Sequence, residues 1–227
     1  MRWISLMLAV IALGIASCGG GGGNGNDGPS QTSDVPNEDA LADSLLLEVS
    51  DFPSGWAEEP PADEGEEDPF EECTPDMPGR TGRAESGDFS RGGSATIAQS
   101  IVVYVGNAEI SAALDQVPAN AQCSIDLIND GDLDDSEFAY SDASLGSLSF
   151  PKVGDRTESY RLKVHVDVKG ESGIGSEGDI FYDAVYVTVG RVGISIFAFD
   201  TFTPFSASEL EEIVSVAVDK VERLGPR

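Results

Sequence analysis

Residues 159–169 read Ser-Tyr-Arg-Leu-Lys-Val-His-Val-Asp-Val-Lys, and no other stretch restricts the fold of this chain so tightly. Tyr160, Leu162, Val164, Val166 and Val168 take one side, while Arg161, Lys163, His165, Asp167 and Lys169 take the other. A period of two is that of an extended strand, and the apolar/charged split puts one face on a core and the other in water. A half-buried strand of this kind belongs in an antiparallel sheet.

The neighbouring segments supply partners for it. Glu137 to Phe150 reads as one or two strands, followed by a turn at Lys152-Val153-Gly154-Asp155. Gly170 to Gly178 reads as a hairpin loop, Asp179 to Val189 as a strand, Gly190-Arg191 as a tight turn and Val192 to Phe202 as the last strand. Upstream, Ser94 to Val105 is rich in β-branched residues and reads as another strand. Three segments carry helical spacing instead. Asn37 to Val49 opens on a cap residue and places Leu41, Leu45, Leu46 and Val49 at helical intervals. Asn107 caps a helix through Val117, with Cys123 to Leu127 as a second short helix. Ser206-Ala207-Ser208-Glu209 resembles a capping box, opening a helix whose apolar stripe is Leu210, Ile213, Val214, Ala217, Val218, Val221 and Leu224. Pro60 to Gly87, acidic and rich in proline and glycine, reads as an irregular excursion. The expected fold is α+β: a largely antiparallel sheet of about five to six strands with helices packed on one face.

Charge and cysteine content narrow the setting. Acidic residues outnumber basic ones 41 to 13, for a formal net charge of −28. Nucleic acid is excluded as a partner, because phosphate neutralisation needs a basic face. Anionic headgroups are equally unattractive to such a chain, so any membrane attachment has to come from something other than charge. Of the three cysteines, Cys73 and Cys123 form an even pair suited to a structural disulfide in an oxidising compartment. A two-thiol metal site is the alternative, with a poor supply of further ligands because the chain has one histidine.

The third cysteine, Cys18, ends an N-terminal segment with a positive Arg2 and an apolar run from Ile4 to Ala16, too short to span a bilayer. Leu13-Gly14-Ile15-Ala16-Ser17-Cys18 resembles the bacterial lipobox, an apolar residue and two small ones before cysteine. That resemblance implies a signal peptide over 1–17, acylation of the Cys18 thiol (the palmitate-bearing anchor of such proteins) and cleavage before it. Residues 18–36 hold the glycine run Gly19 to Gly23 and almost nothing apolar, a composition expected of a flexible tether. Residues 37–227 form the expected single extracytoplasmic domain, held at the cell membrane or outer membrane by lipid.

The segment Leu45-Leu46-Leu47-Glu48-Val49-Ser50-Asp51-Phe52-Pro53-Ser54-Gly55-Trp56 resembles the opening of PknH-like extracellular sensor domains and related actinobacterial lipoproteins. Its specific part is Phe52 to Trp56. A later cysteine, a valine-rich strand and a terminal helix follow in the same order. The resemblance implies a sensor or binding role; the family usually has two disulfides where this chain can form one.

Catalytic chemistry finds little support. His165 lies between Lys163 and Asp167 on the charged side of its strand, and no Gly-x-Ser-x-Gly elbow is present for a triad. Zinc finds no second histidine and no paired ligand spacing. The acidic run from Asn129 to Glu137 offers calcium candidates in Asp130, Asp132, Asp134 and Glu137, without the glycine and late glutamate of an EF-hand. The Arg161, Lys163 and Lys169 row can meet an anionic ligand or pair with acids across the sheet. Expected function is therefore a non-enzymatic, lipid-anchored binding or sensor-like module without a cofactor, its ligand a small molecule or an envelope protein. An envelope assembly protein is the alternative, and a carboxylate-based hydrolase stands behind both.

Overall fold

The computed structural model describes residues 37–59, 70, 73, 77–133, 137–169, 176–200 and 203–226. The signal segment, the tether, Asp134 and the tip of the 170–178 loop lie outside them. In chain order the elements are α1 (Glu38–Ser44), β1 (Ala57–Glu58), β2 (Arg80–Glu85), β3 (Phe89–Arg91), β4 (Ala95–Tyr104), α2 (Asn107–Asp130), β5 (Phe138–Ser147), β6 (Arg156–Val168), β7 (Ser176–Val189), β8 (Val192–Asp200) and α3 (Ala207–Leu224). The eight strands form one antiparallel sheet ordered β1-β3-β4-β8-β7-β6-β5, with β2 beside the second half of β4.

The expected α+β class and antiparallel sheet are those found. The sheet has eight strands rather than about five to six, because the supposed irregular excursion from Pro60 to Gly87 contains β2 and the first strand is only a two-residue pairing. The helices also divide between both faces of the sheet. Along β7 and β8, Val185, Val187, Ile194 and Ile196 face the apolar stripe of α3. The alternate residues Tyr182, Tyr186, Phe197 and Phe199 face Leu114, Val117, Ile125 and Ile128 of α2. Strands β4, β7 and β8 are therefore buried on both sides, and they read in sequence as nearly continuous apolar runs. The outer strand β6 keeps the strict alternation, with Leu162, Val164 and Val166 inward.

Two helices depart from their expected bounds for physical reasons. Asn37 caps α1 as expected, its Oδ1 accepting from Asp39 N at 3.2 Å. The helix stops at Ser44 rather than Val49, because Leu45 and Leu47 enter the core and Leu47 N donates to Gln99 Oε1 at 2.6 Å. The two helices expected over 107–127 are one helix of 24 residues that carries Pro118 in its interior. Proline there forgoes a backbone bond at a cost of about 3 kcal/mol. Burial of Leu114, Val117, Ala121, Ile125 and Ile128 along one stripe offsets it, at about 1.5–3 kcal/mol for each large side chain. The terminal helix α3 has its expected stripe buried from Leu210 to Val221, with Leu224 exposed. Ser206 Oγ accepts from Glu209 N at 3.5 Å, but the Glu209 carboxylate turns to Arg91 instead of closing a capping box.

Cys73 and Cys123 are joined, with Cα atoms 5.6 Å apart and a sequence separation of 50. The bond ties α2 to the chain between β1 and β2. Closing a loop of that length removes denatured-state entropy worth about 2–4 kcal/mol. The Cys73→Ser/Cys123→Ser double variant should therefore melt roughly 5–15 °C lower in calorimetry. Reductant should lower the wild-type midpoint similarly and leave the double variant unmoved.

Candidate functional site

The motif that carried the family resemblance is part of the core. Phe52 and Trp56 are buried and pack against each other with tilted rings, 5.4 Å between centroids, with Phe52 4.4 Å from Phe89 and Trp56 6.3 Å from Phe205. Gly55 takes a left-handed turn at φ +101°, which aims Trp56 back into this nest. Arg91 lies over the Trp56 ring at 4.9 Å and grips the Glu209 carboxylate, with Nη2 to Oε2 at 2.9 Å. Trp56 Nε1 donates to the same carboxylate at 3.3 Å. These residues seal the N-terminal end of α3 against β3, so both aromatic rings of the motif are taken up by the core.

The acidic run at 129–137 is also largely structural where it is described. Asn129 and Asp130 are the last residues of α2, and Gly131 ends the helix at φ +80°, donating to Ile128 O at 3.2 Å. The Asn129 amide is engaged on both sides by Ala143, through Oδ1 at 2.8 Å and Nδ2 at 3.1 Å. This contact docks the β5 bulge, where Asp142 takes a positive φ of 52°. Asp130, Asp132 and Glu137 are exposed, and among the described residues they form no group whose carboxylates could share an ion.

The polar side of β6 and β7 is different. Beyond the reach of α3, this face is not covered by a described helix, and register brings its charged residues into pairs. Arg161 stands opposite Asp183, His165 opposite Asp179 and Asp167 opposite Glu177. Arg161 grips Asp183 with two bonds of 2.6 Å, and Asp183 is 1% exposed. Leaving that buried carboxylate without its partner would cost about 3–5 kcal/mol, so Arg161 is committed to the fold and not to an external anion. Lys163 reaches diagonally to Asp179 Oδ2 at 2.7 Å. The expectation of cross-sheet pairing is thus met for Arg161 and Lys163.

His165 sits further out on the same face. Its Nδ1 is 3.1 Å from Asp179 Oδ1, and its Nε2 is 3.8 Å from Asp167 Oδ1. Both ring nitrogens address carboxylates, and among the described residues no hydroxyl or thiol bonds to the ring. Ligand atoms of His165, Asp167 and Glu177 all lie within 4.8 Å of one another. The sequence spacing hid this group, because Glu177 comes from the partner strand and only the register of β6 on β7 places it opposite Asp167. The hydrogen bond to Asp179, and then the charges of Asp167, Asp179 and Glu177, hold the imidazole above its ordinary range against slight desolvation. Hydrogen bonds from Lys163 and His165 hold the Asp179 carboxyl below its own.

Other groups are perturbed away from this face. Asp88, between β2 and β3, is pushed up to about 6 by burial and by Glu59. Burial also drives the Tyr182 and Tyr186 phenols up, and their hydroxyls find no partner among the described residues.

An NMR titration of His165 should give a midpoint above that of a free imidazole. The Asp179→Asn variant should bring it down, since it removes the largest raising influence and leaves Asp167 and Glu177 in place. A midpoint unmoved by the substitution would show that the ring does not hold this bond in solution.

No family model matches the chain, and no curated protein matches it. Two solved structures are similar in part. The extracellular domain of PknH from Mycobacterium tuberculosis shares 17% identity over 64% of this chain, at a TM-score of 0.29. The chain spans 66% of that domain, a little under two thirds. A protein of Mycobacterium smegmatis, the Rv0999 ortholog, shares 11% identity over 80% of this chain and 98% of its own, at a TM-score of 0.38. At such overlap neither likeness assigns an activity or a ligand to this chain.

Proposed function

We propose that this chain is an exported lipoprotein, anchored by an acyl group on Cys18, whose domain works as a non-enzymatic binding or sensor-like module. The observation that carries this reading is the use of the cysteines. Two of the three are consumed by the Cys73–Cys123 bond, which suits an oxidising compartment. The third ends an apolar signal with the small residues Ala16-Ser17 before it and a glycine run after it. Among the described residues no helix is long and apolar enough to cross a membrane, so a lipid is the attachment the sequence offers. A net charge of −28 argues against adhesion through anionic headgroups.

Within the domain, the β6–β7 face suits recognition better than reaction. Its side chains are ordered by cross-strand pairs on a rigid sheet, and its one histidine is held between carboxylates with no nucleophile beside it. A general base needs a hydrogen-bonded nucleophile to activate, and the described residues supply none to His165.

Expression in a bacterial host with labelled palmitate tests the anchor. The wild type should incorporate label and partition with membranes, and Cys18→Ser should lose both while keeping the disulfide. An unlabelled wild type, or a Cys18→Ser variant still bound to membranes, contradicts the anchor. Native mass spectrometry of protein drawn from its own membranes tests the binding role. Added mass beyond the lipid supports a binding module, whereas bare lipoprotein favours an envelope assembly role pursued by crosslinking.

A further inference from the structure

We infer that His165, Asp167 and Glu177 form a binding site for a divalent first-row transition-metal ion, with Asp179 as the positioning residue behind the histidine. The inference deepens the reading of the β6–β7 face as a recognition surface and rests on it.

Three observations combine. First, the ligand atoms converge: one imidazole nitrogen and two carboxylate oxygens lie within 4.8 Å of one another on one face of two paired strands. An ion held at about 2.0–2.2 Å from each ligand needs them to close by roughly an ångström. Asp167 and Glu177 are exposed side chains on fixed backbone and can make that movement by rotation alone.

Second, the histidine is already oriented. Asp179 Oδ1 lies 3.1 Å from His165 Nδ1, and Lys163 holds the other Asp179 oxygen at 2.7 Å. A carboxylate that accepts from Nδ1–H fixes the neutral tautomer whose lone pair is on Nε2. Nε2 is the nitrogen on the Asp167 side of the ring, at 3.8 Å from Oδ1. The sequence Lys163 to Asp179 to His165 to ion is the outer-shell arrangement that metal-binding histidines use.

Third, the donor set selects the ion. Imidazole nitrogen favours zinc and its first-row neighbours, whereas calcium and magnesium take oxygen ligands in larger number. Three protein ligands leave a tetrahedral ion one position open toward solvent, as in an exchangeable site rather than a closed structural one. The strand positions explain why spacing alone could not reveal the site. His165 and Asp167 are two apart on β6, and Glu177 joins them only through the register Asp167 to Glu177.

The test is zinc titration of the full acylated chain in detergent, by calorimetry with competing chelator, at an ionic strength of about 0.15 M or more to screen diffuse attraction to the acidic surface. One saturable equivalent should appear, and an equal concentration of calcium should not displace it. His165→Ala should weaken it at least 100-fold, and Glu177→Gln should weaken it with the histidine intact. Asp179→Asn should weaken it about 10–100-fold although Asp179 is not a ligand. Nitrogen-15 spectra of the His165 ring should show zinc shifting Nε2 while Nδ1 keeps its proton. All three substitutions are on an exposed face, and an unchanged melting midpoint certifies each fold; should His165→Ala not fold, Glu177→Gln decides. The site is overturned if no saturable equivalent appears, or if the equivalent survives His165→Ala or Glu177→Gln at full affinity. Either result would leave the palmitate and membrane-partition outcome, and so the anchored-module reading, where that experiment put it.

Discussion

Burial of β4, β8 and β7 on both faces is the constraint from which the remaining architecture follows. A strand covered on two sides has no place for an unpaired charge, so β4, β8 and the second half of β7 are largely apolar on both parities. The chain nevertheless carries 41 acidic residues. They are displaced to helix exteriors, loops, the outer strands β5 and β6 and the first half of β7, where free faces meet water. Among the described residues, the charged side chains that are buried, Asp183 and Lys220, are satisfied. Asp183 has both oxygens on Arg161, and Lys220 on α3 donates to Leu46 O at 2.5 Å and Asp51 Oδ2 at 3.2 Å.

Covering the α3 face takes more than α3 alone. The segment from Leu45 to Trp56 fills the space between that helix and the sheet, and the bonds that hold it there are long-range. Gln99 on β4 receives Leu47 N, Lys220 on α3 takes the Leu46 carbonyl, and Glu209 takes Trp56 Nε1. At the other end, α1 lies so close to β2 that a Cβ on Gly82 would stand 2.3 Å from the Glu38 carbonyl oxygen. Arg191, from the β7–β8 turn, anchors Glu38 with bonds of 2.9 and 3.1 Å. The leucine-rich opening and the Phe52–Trp56 turn are thus explained by packing within this chain.

Much of the fold was legible in the sequence, because period-two alternation on β6 and the period-3.6 stripe on α3 are strong local signals. The cysteine pairing followed from arithmetic. What escaped has a common physical cause. The continuous apolar runs of β4, β7 and β8 announced strands, but their two-sided burial, and with it the division of helices between faces, depends on tertiary partners. The helices read separately over Asn107 to Val117 and Cys123 to Leu127 are one helix, because burial of its apolar stripe carries the chain through Pro118. Strand β2 is polar and acquires its conformation by pairing with β4. The same holds at the candidate site. His165 and Asp167 were visible as charged-face residues, whereas Asp179 and Glu177 became their neighbours only through register. A search of the sequence for ligand spacing within one segment cannot find a group assembled across a hairpin.

β6 and the first half of β7 can carry such a group because β4, β8 and the second half of β7 hold the frame still. Native-state hydrogen exchange followed by NMR tests this division most directly. The account predicts that amides of β4, β7 and β8 exchange slowest and open only with global unfolding, while β1, β5 and the exposed edge open earlier. Slowest exchange in β5 or in α1, with β4, β7 and β8 opening by cheaper local fluctuations, would contradict it.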